Sequence, residues 1–352
     1  MKNYTIKRLS DQPIIRTGDV RPATEGFSVL GAFNPAATRF GDEIILLLRV
    51  AEGPTPETLD KGWLHIPVLE EQDGSMQLVV KRFREPDGLH DSRVVMLDGD
   101  GQPGKVYLTS ISHLRLARSR DGVHFQIDEK PFLFPARADE AFGIEDARIT
   151  FLEGEYWITY TAVSEHGPAV GLAKTTDFKT VERVGLVLAP PNKDVALFPE
   201  RINDKYLMLH RPMVSDIGKP SVWLAESTDG VHWGQHKFLF GPTENDWEAL
   251  KIGAGPEPIL THEGWLVCYH GSSPRHGYGL GLALLDRNDP GRVLARTPTP
   301  LLTPDLPWER EGFFPNVVFS NGWVQQPDGT ILVYYGAADS GVGVAVLSGS
   351  QT

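Results

Sequence analysis

The chain has 352 residues, 23% charged and 41% hydrophobic, with a formal net charge of −12 and a single cysteine, Cys268. That charge argues against nucleic acid or an anionic membrane as partner, because both surfaces would repel it. One cysteine excludes an internal disulfide framework, no apolar run approaches the roughly 18 residues of a membrane span, and "MKNYTIKRLSDQP" lacks the apolar core of a secretory signal. The expectation is a soluble, cytoplasmic globular protein read as one domain over residues 1–352, for which a homo-oligomer is allowed.

In chain order the predicted elements are short strands with almost no helical periodicity. Runs with polar residues at their start are "AFNPAATRF" (32–40), "HDSRVVML" (90–97), "IEDARITFL" (144–152), "DVALFPERI" (194–202), "GPEPILTH" (255–262) and "FPNVVFSNG" (314–322). Runs rich in Tyr, Trp, Val and Ile follow, among them "EYWITYTAV" (155–163), "KYLMLHRP" (205–212), "GWLVCYHG" (264–271) and "TILVYYGAA" (330–338). Then comes a repeated phrase: "LARSRDGVHF" (116–125), "LAKTTDFKTV" (172–181), "LAESTDGVHW" (224–233), and fainter forms at 282–291 and 344–350. Its alanines fall at 117, 173, 225, 283 and 345. Two copies carry a "DG" turn; the middle one has "DF" instead.

An all-β repeat of this length, one inner strand followed by a hairpin, reads as a β-propeller; a β-sandwich with chance similarity is the competing architecture. Six inner strands can be counted. In a propeller they line the central channel, so polar residues at their leading ends converge: Asn34, Asp91 with Arg93, Asp146, Asp194, Glu257 and Asn316. Such a funnel suits a hydroxyl-rich ligand.

"GIEDARIT" (143–150) is the most pointed of these stretches. Strand alternation puts Asp146 and Arg148 on one face and Glu145 on the other. His210-Arg211, Lys251, His270 and Tyr278 lie at strand ends of successive repeats. Singly each would be a solvated surface group, but together they suggest an anion pocket. "IGAGP" (252–256) adds a Gly-rich turn that permits close backbone approach, and Trp223, Trp233, Trp247 and Trp308 read as fillers between blades more readily than as sugar platforms. "DGDG" (98–101) has Thr109 where a calcium loop would need a bidentate Glu, and no His or Cys spacing suits a metal.

The ordered stretches "FNPAA…ILLLRVAEG", "SHLRLARSRDGVHF", "GIEDARIT", "NKDVALFPERI…LHRP", "KIGAGPEPI…GWLVCYHG" and "FFPNVVF…YYGAAD" resemble glycoside hydrolase family 130, the β-mannoside phosphorylases and their hydrolytic relatives. The resemblance implies a five-bladed propeller, against six counted units; region 51–105 would hold the surplus as an insert, or the termini would share a blade. It implies Asp146 as general acid, passing its proton through a mannose hydroxyl, with Ala147 standing where the family has Pro. It implies phosphate contacts from Arg211, Lys251, His270 and Tyr278, and a mannosyl grip from Asn34, Arg49, Asp194 and Asp339. Arg148 and Glu257 are expected at the substrate as well. Asp146 merely paired with Arg148, and Asn34 merely satisfying its own turn, are the bland alternatives.

The activity this implies is inverting phosphorolysis of β-mannosides, in a branch acting on β-1,2 linkages, to α-mannose 1-phosphate and a shortened sugar. Partners would be a β-mannoside oligosaccharide and inorganic phosphate as co-substrate, with no cofactor and no metal. A β-mannosidase using water is the alternative, favoured by Glu257, which could serve as base. A silent sugar-binding propeller is the third reading, disfavoured by a retained proton donor at Asp146.

Overall fold

The computed structural model describes residues 2–349 apart from 57–58, 86–92, 100–101, 215 and 245; Asp91 and part of the "DGDG" stretch therefore lie outside the described residues. Five antiparallel sheets form the blades of a five-bladed propeller. The first blade runs Phe27–Phe40, Glu43–Pro54, Ile111–Ser119 and Gln126–Ile127; the second Gly143–Leu152, Glu155–Ser164, Gly167–Thr175 and Glu182–Leu188. The third runs Asn192–Leu197, Tyr206–Pro212, Val222–Ser227 and Gly234–Phe240. The fourth has Lys251–Ala254, Gly264–Ser273, Gly277–Leu285 and Val293–Arg296, with Ile259–Thr261 beside its second strand. The fifth takes Val318–Gln325, Ile331–Ala337 and Gly341–Gly349 from the C-terminal region and Tyr4–Arg8 from the N-terminal one, closing the ring.

The sixth counted unit is accounted for by both routes at once. The termini share the fifth blade, and the described part of "HDSRVVML" is no inner strand. It opens a separate two-stranded hairpin, Val94–Gly99 with Gln102–Leu108, which follows another, Trp63–Gln72 with Ser75–Arg84. Both are inserted between the second and third strands of the first blade.

Each neighbouring pair of blades shares one apolar cluster, which explains why "EIILLLRV" lacks a polar face. Ile45 and Leu47 pack with Ile149 and Ile158 of the second blade. The intervening Ile44, Leu46 and Leu48 pack with Val324 and Val344 of the fifth. A strand buried on both sides reads as a continuous apolar run rather than an alternating one.

The repeated phrase is an Asp-held turn. Asp121 Oδ1 accepts from the Val123 and His124 N–H groups at 2.9 and 2.8 Å, and Asp229 from Val231 and His232 at the same distances. Gly122 and Gly230 take φ of 79° and 76° there. In the middle copy Phe178 holds φ 51°, and Asp177 Oδ1 still accepts from Lys179 and Thr180 at 2.8 and 2.9 Å. A non-Gly residue in this region costs on the order of 1–3 kcal/mol. Burial of the Phe178 ring against Phe40 and Tyr156 offsets it. Trp247 packs on Tyr269 in the cluster between the third and fourth blades, and Trp308 stacks on Tyr335 against the one between the fourth and fifth, as expected.

Candidate active site

One device, used three times, builds the site. The inner strands of the first three blades each carry a bulge, at 33–36, 145–148 and 193–196. The residue in the bulge takes a left-handed backbone: Asn34 (φ 47°), Asp146 (φ 47°) and Asp194 (φ 56°). Asn and Asp are the side-chain-bearing residues that tolerate this region best, and a bulge re-aims a side chain that simple alternation would send elsewhere. All three side chains line one cavity of ≈ 380 Å³, within the range of small-molecule sites.

The bulge corrects the alternation argument for "GIEDARIT". Glu145 and Asp146 both line the cavity, and Arg148 does not. Arg49 ties the two carboxylates together, donating to Glu145 Oε1 at 2.8 Å and Asp146 Oδ1 at 3.3 Å, with its Nε on Ser112 Oγ at 3.0 Å. Asn34 Nδ2 donates to the same Asp146 oxygen at 3.0 Å. Burial pushes Asp146 up, but Arg49, Lys193 and the Asn34 contact together hold it below the usual carboxylate range. Asp339, at the end of the Ile331–Ala337 strand with φ 51°, lines the same side of the cavity. Burial raises its carboxyl to about 6, against the pull of Arg49 and Arg93.

Arg148 is no side-chain partner of Asp146. It donates to the Asp146 carbonyl at 2.9 Å and to Asp194 Oδ1 at 3.2 Å, fully buried behind the cavity wall. Asp194 also meets Arg211 Nη1 at 3.0 Å and His270 Nε2 at 3.5 Å. Burial pushes its carboxyl up, but the Arg211 and Arg148 guanidinium groups hold it well below the usual range.

Arg211, Lys251, His270 and Tyr278 come together on the third- and fourth-blade side of the cavity, as the spacing implied. Arg211 Nη1 faces His270 Nε2 at 3.3 Å. A guanidinium can only donate, so Nε2 accepts and the imidazole is neutral, in keeping with burial taking His270 down to about 3. Lys251 Nζ lies over the Tyr278 ring, 5.1 Å from its centroid. Burial and then Arg211 bring its ammonium down to about 8. Gly253 belongs to the Lys251–Ala254 strand rather than to a turn; a Cβ there would sit 2.3 Å from Asp194 Oδ2 and 2.5 Å from His270 Cε1. His210 stays behind Arg211, its ring on Asn192 and His236.

Besides Arg148, two expected residues stand apart. Glu257 and Asn316 do not line this cavity. The Glu257 carbonyl accepts from Trp323 Nε1 at 2.8 Å, and burial holds its carboxyl well above the usual range. The Asn316 carbonyl accepts from the Tyr278 N–H at 3.0 Å. Lys193 and Glu145 were not among the named candidates, yet both line the cavity, 3.9 Å apart at Nζ and Oε2. Their signal was adjacency: each precedes a bulge Asp.

A family model described as beta-1,4-mannooligosaccharide phosphorylase, glycoside hydrolase family 130, matches residues 105–350. The chain belongs to glycoside hydrolase family 130. Among family relatives, the β-1,2-mannobiose phosphorylase of Listeria innocua is 44% identical over 336 residues, 95% of this chain and 94% of that protein. A 1,2-β-oligomannan phosphorylase of a Thermoanaerobacter species is 42% identical over 248 residues, 70% of this chain and 81% of that one. The solved structure of a Listeria innocua β-1,2-mannobiose phosphorylase in complex with β-1,2-mannobiose superimposes with a TM-score of 0.88 at 42% identity, covering 97% of this chain and 96% of that one.

Proposed function

We propose that this family 130 member is an inverting phosphorylase of β-1,2-linked manno-oligosaccharides, releasing α-mannose 1-phosphate and a sugar one unit shorter. The observation that carries this reading is the convergence of Lys193, Arg211 and Lys251, with the donors of His270 and Tyr278, in one cavity of a protein whose net charge is −12. A bound dianion needs such local compensation, since desolvating it unpaired is prohibitive. The linkage rests on the activities for which the two relatives are named.

In this reading Asn34, Arg49, Asp194 and Asp339 hold the mannosyl residue, with Glu145 fixing Arg49. Phosphate enters from the Lys251 and Arg211 side. One phosphate oxygen bonds to C1 as the glycosidic C1–O bond breaks on the opposite ring face. The leaving oxygen takes a proton that Asp146 supplies through a mannosyl hydroxyl, and the proton left on the new phosphate ester restores Asp146. Arrival of phosphate adds negative charge and excludes water, and both move Asp146 toward the protonated form that a general acid needs. A single protein carboxylate suffices because phosphate is already a nucleophile. Hydrolysis would need a second carboxylate to activate water; Glu257, the candidate base, does not line the cavity, and the other carboxylates that do, Glu145, Asp194 and Asp339, are each paired with an arginine.

The test is a linkage panel. Incubation with phosphate and β-1,2-, β-1,3- or β-1,4-mannobiose should give α-mannose 1-phosphate from the β-1,2 sugar fastest, read by phosphorus and proton NMR. Preference for the β-1,4 sugar would overturn the linkage, and a β-anomeric product would overturn inversion.

A further inference from the structure

Four blades pass from second to third strand through gaps of at most nine residues; the first blade instead sends out two hairpins between Pro54 and Ile111. The second of these stands beside the cavity, with Val94 and Leu108 in its lining. The residue leading into it, Arg93, reaches across to the fifth blade. Its Nη1 donates to Asp339 Oδ2 at 3.3 Å, and its guanidinium lies 3.5 Å from the centroid of the Phe314 ring. A planar cation can pair with a carboxylate and stack on an aromatic face at once, which an ammonium does less well.

We infer that Arg93 is a positioning residue of the mannosyl subsite, clasping the inserted hairpin onto the fifth blade and fixing Asp339 as a hydrogen-bond acceptor for sugar hydroxyls. This rests on the reading of Asp339 as a mannosyl ligand. The charged groups facing Asp339 are Arg49 from the first blade, Arg93 from the hairpin and Asp146 from the second blade. Burial and Asp146 push its carboxyl up; the two arginines oppose them. Arg49 is already shared with Glu145, Asp146 and Ser112. Arg93, by contrast, sits at the rim, with its side chain 31% exposed. Without it Asp339 tends toward its protonated form near neutral pH, and an acceptor becomes a donor.

The experiment compares wild type, Arg93→Met, Arg93→Lys, Asp339→Asn and the Arg93→Met/Asp339→Asn double variant, with β-1,2-mannobiose at saturating phosphate across pH 5–9. Arg93→Met should raise KM for mannobiose about tenfold, the effect of losing one contact at roughly 1.4 kcal/mol per decade. It should also move the acidic limb of kcat/KM upward by about one pH unit, as expected when an opposite charge leaves a carboxylate. Arg93→Lys keeps the charge and should keep the limb near its wild-type position. In the Asp339→Asn background, Arg93→Met should add nothing to the limb or to KM. An unchanged mannobiose KM in Arg93→Met, or an undiminished effect of Arg93→Met in that background, would overturn the inference. If Asp339→Asn leaves the mannobiose KM unchanged, it is instead the mannosyl role of Asp339 that fails. Thermal unfolding of each variant checks that the fold is intact.

Discussion

Lys251 should make phosphate use fall off in base. Its ammonium lies in the wall of the cavity, over Tyr278 and near Arg211, and burial with that neighbouring cation brings it down to about 8. The profile of kcat/KM for phosphate reports the free enzyme, so a basic limb should appear near that value. A charged hydrogen bond contributes about 1.5–3 kcal/mol and a neutral one about 0.5–1.5. Deprotonation therefore removes about 1–1.5 kcal/mol, or roughly five- to tenfold in kcat/KM at ~1.4 kcal/mol per decade. Removing the group in Lys251→Ala should cost about 10- to 100-fold at pH 7, with a smaller change in mannoside KM. Lys251→Arg stays charged throughout and should lose the limb. His270 is already neutral well below this range, with burial taking it down to about 3, and adds no limb of its own. Initial rates at limiting phosphate from pH 6 to 9.5 decide the matter. A flat wild-type profile, or a limb that persists in Lys251→Arg, would refute the reasoning.

Three further outcomes are expected. Asp146→Asn keeps the shape that Asn34 and Arg49 contact but removes the proton source, so turnover should fall about 10²–10⁴-fold with the thermal midpoint little changed; near-wild-type turnover would remove Asp146 from the chemistry. Gly253→Ala places a Cβ against Asp194 and His270 and should raise phosphate KM while costing about 1–3 kcal/mol of stability, measured by rates and by denaturant unfolding. Asp194→Asn leaves Arg148 and Arg211 without their shared counter-charge and should destabilise by roughly 3–5 kcal/mol. Asp194 is held below its unfolded-state value, so its stabilisation is present above about pH 4 and lost on acidification below it. The variant should accordingly show a flatter acid-unfolding profile than wild type.

The ring architecture was legible because the repeat is carried by strands and by an Asp-held turn whose chemistry survives even where Phe178 replaces glycine. The blade count was not, because "HDSRVVML" has the polar start and apolar body of an inner strand; what makes it an insertion is the pairing of Val94–Gly99 with Gln102–Leu108. Sequence pattern carries no information about which partner a strand selects. The site was half legible. Asp146, Asn34, Arg49, Asp194, Asp339 and the four phosphate candidates meet in one cavity. Glu145 was sent to the wrong face by strict alternation, which fails at bulges. Glu257 fell for the opposite reason: the inner strand of the fourth blade stops at Ala254, and the chain beyond it leaves the cavity.

The central claim is that phosphate, not water, is the nucleophile. The direct measurement follows β-1,2-mannobiose by NMR with the protein, with and without inorganic phosphate. With phosphate, free mannose and α-mannose 1-phosphate should appear in equal amounts; without it the disaccharide should persist. Free mannose released at the same rate in the absence of phosphate, with no phosphate ester formed in its presence, would contradict the account.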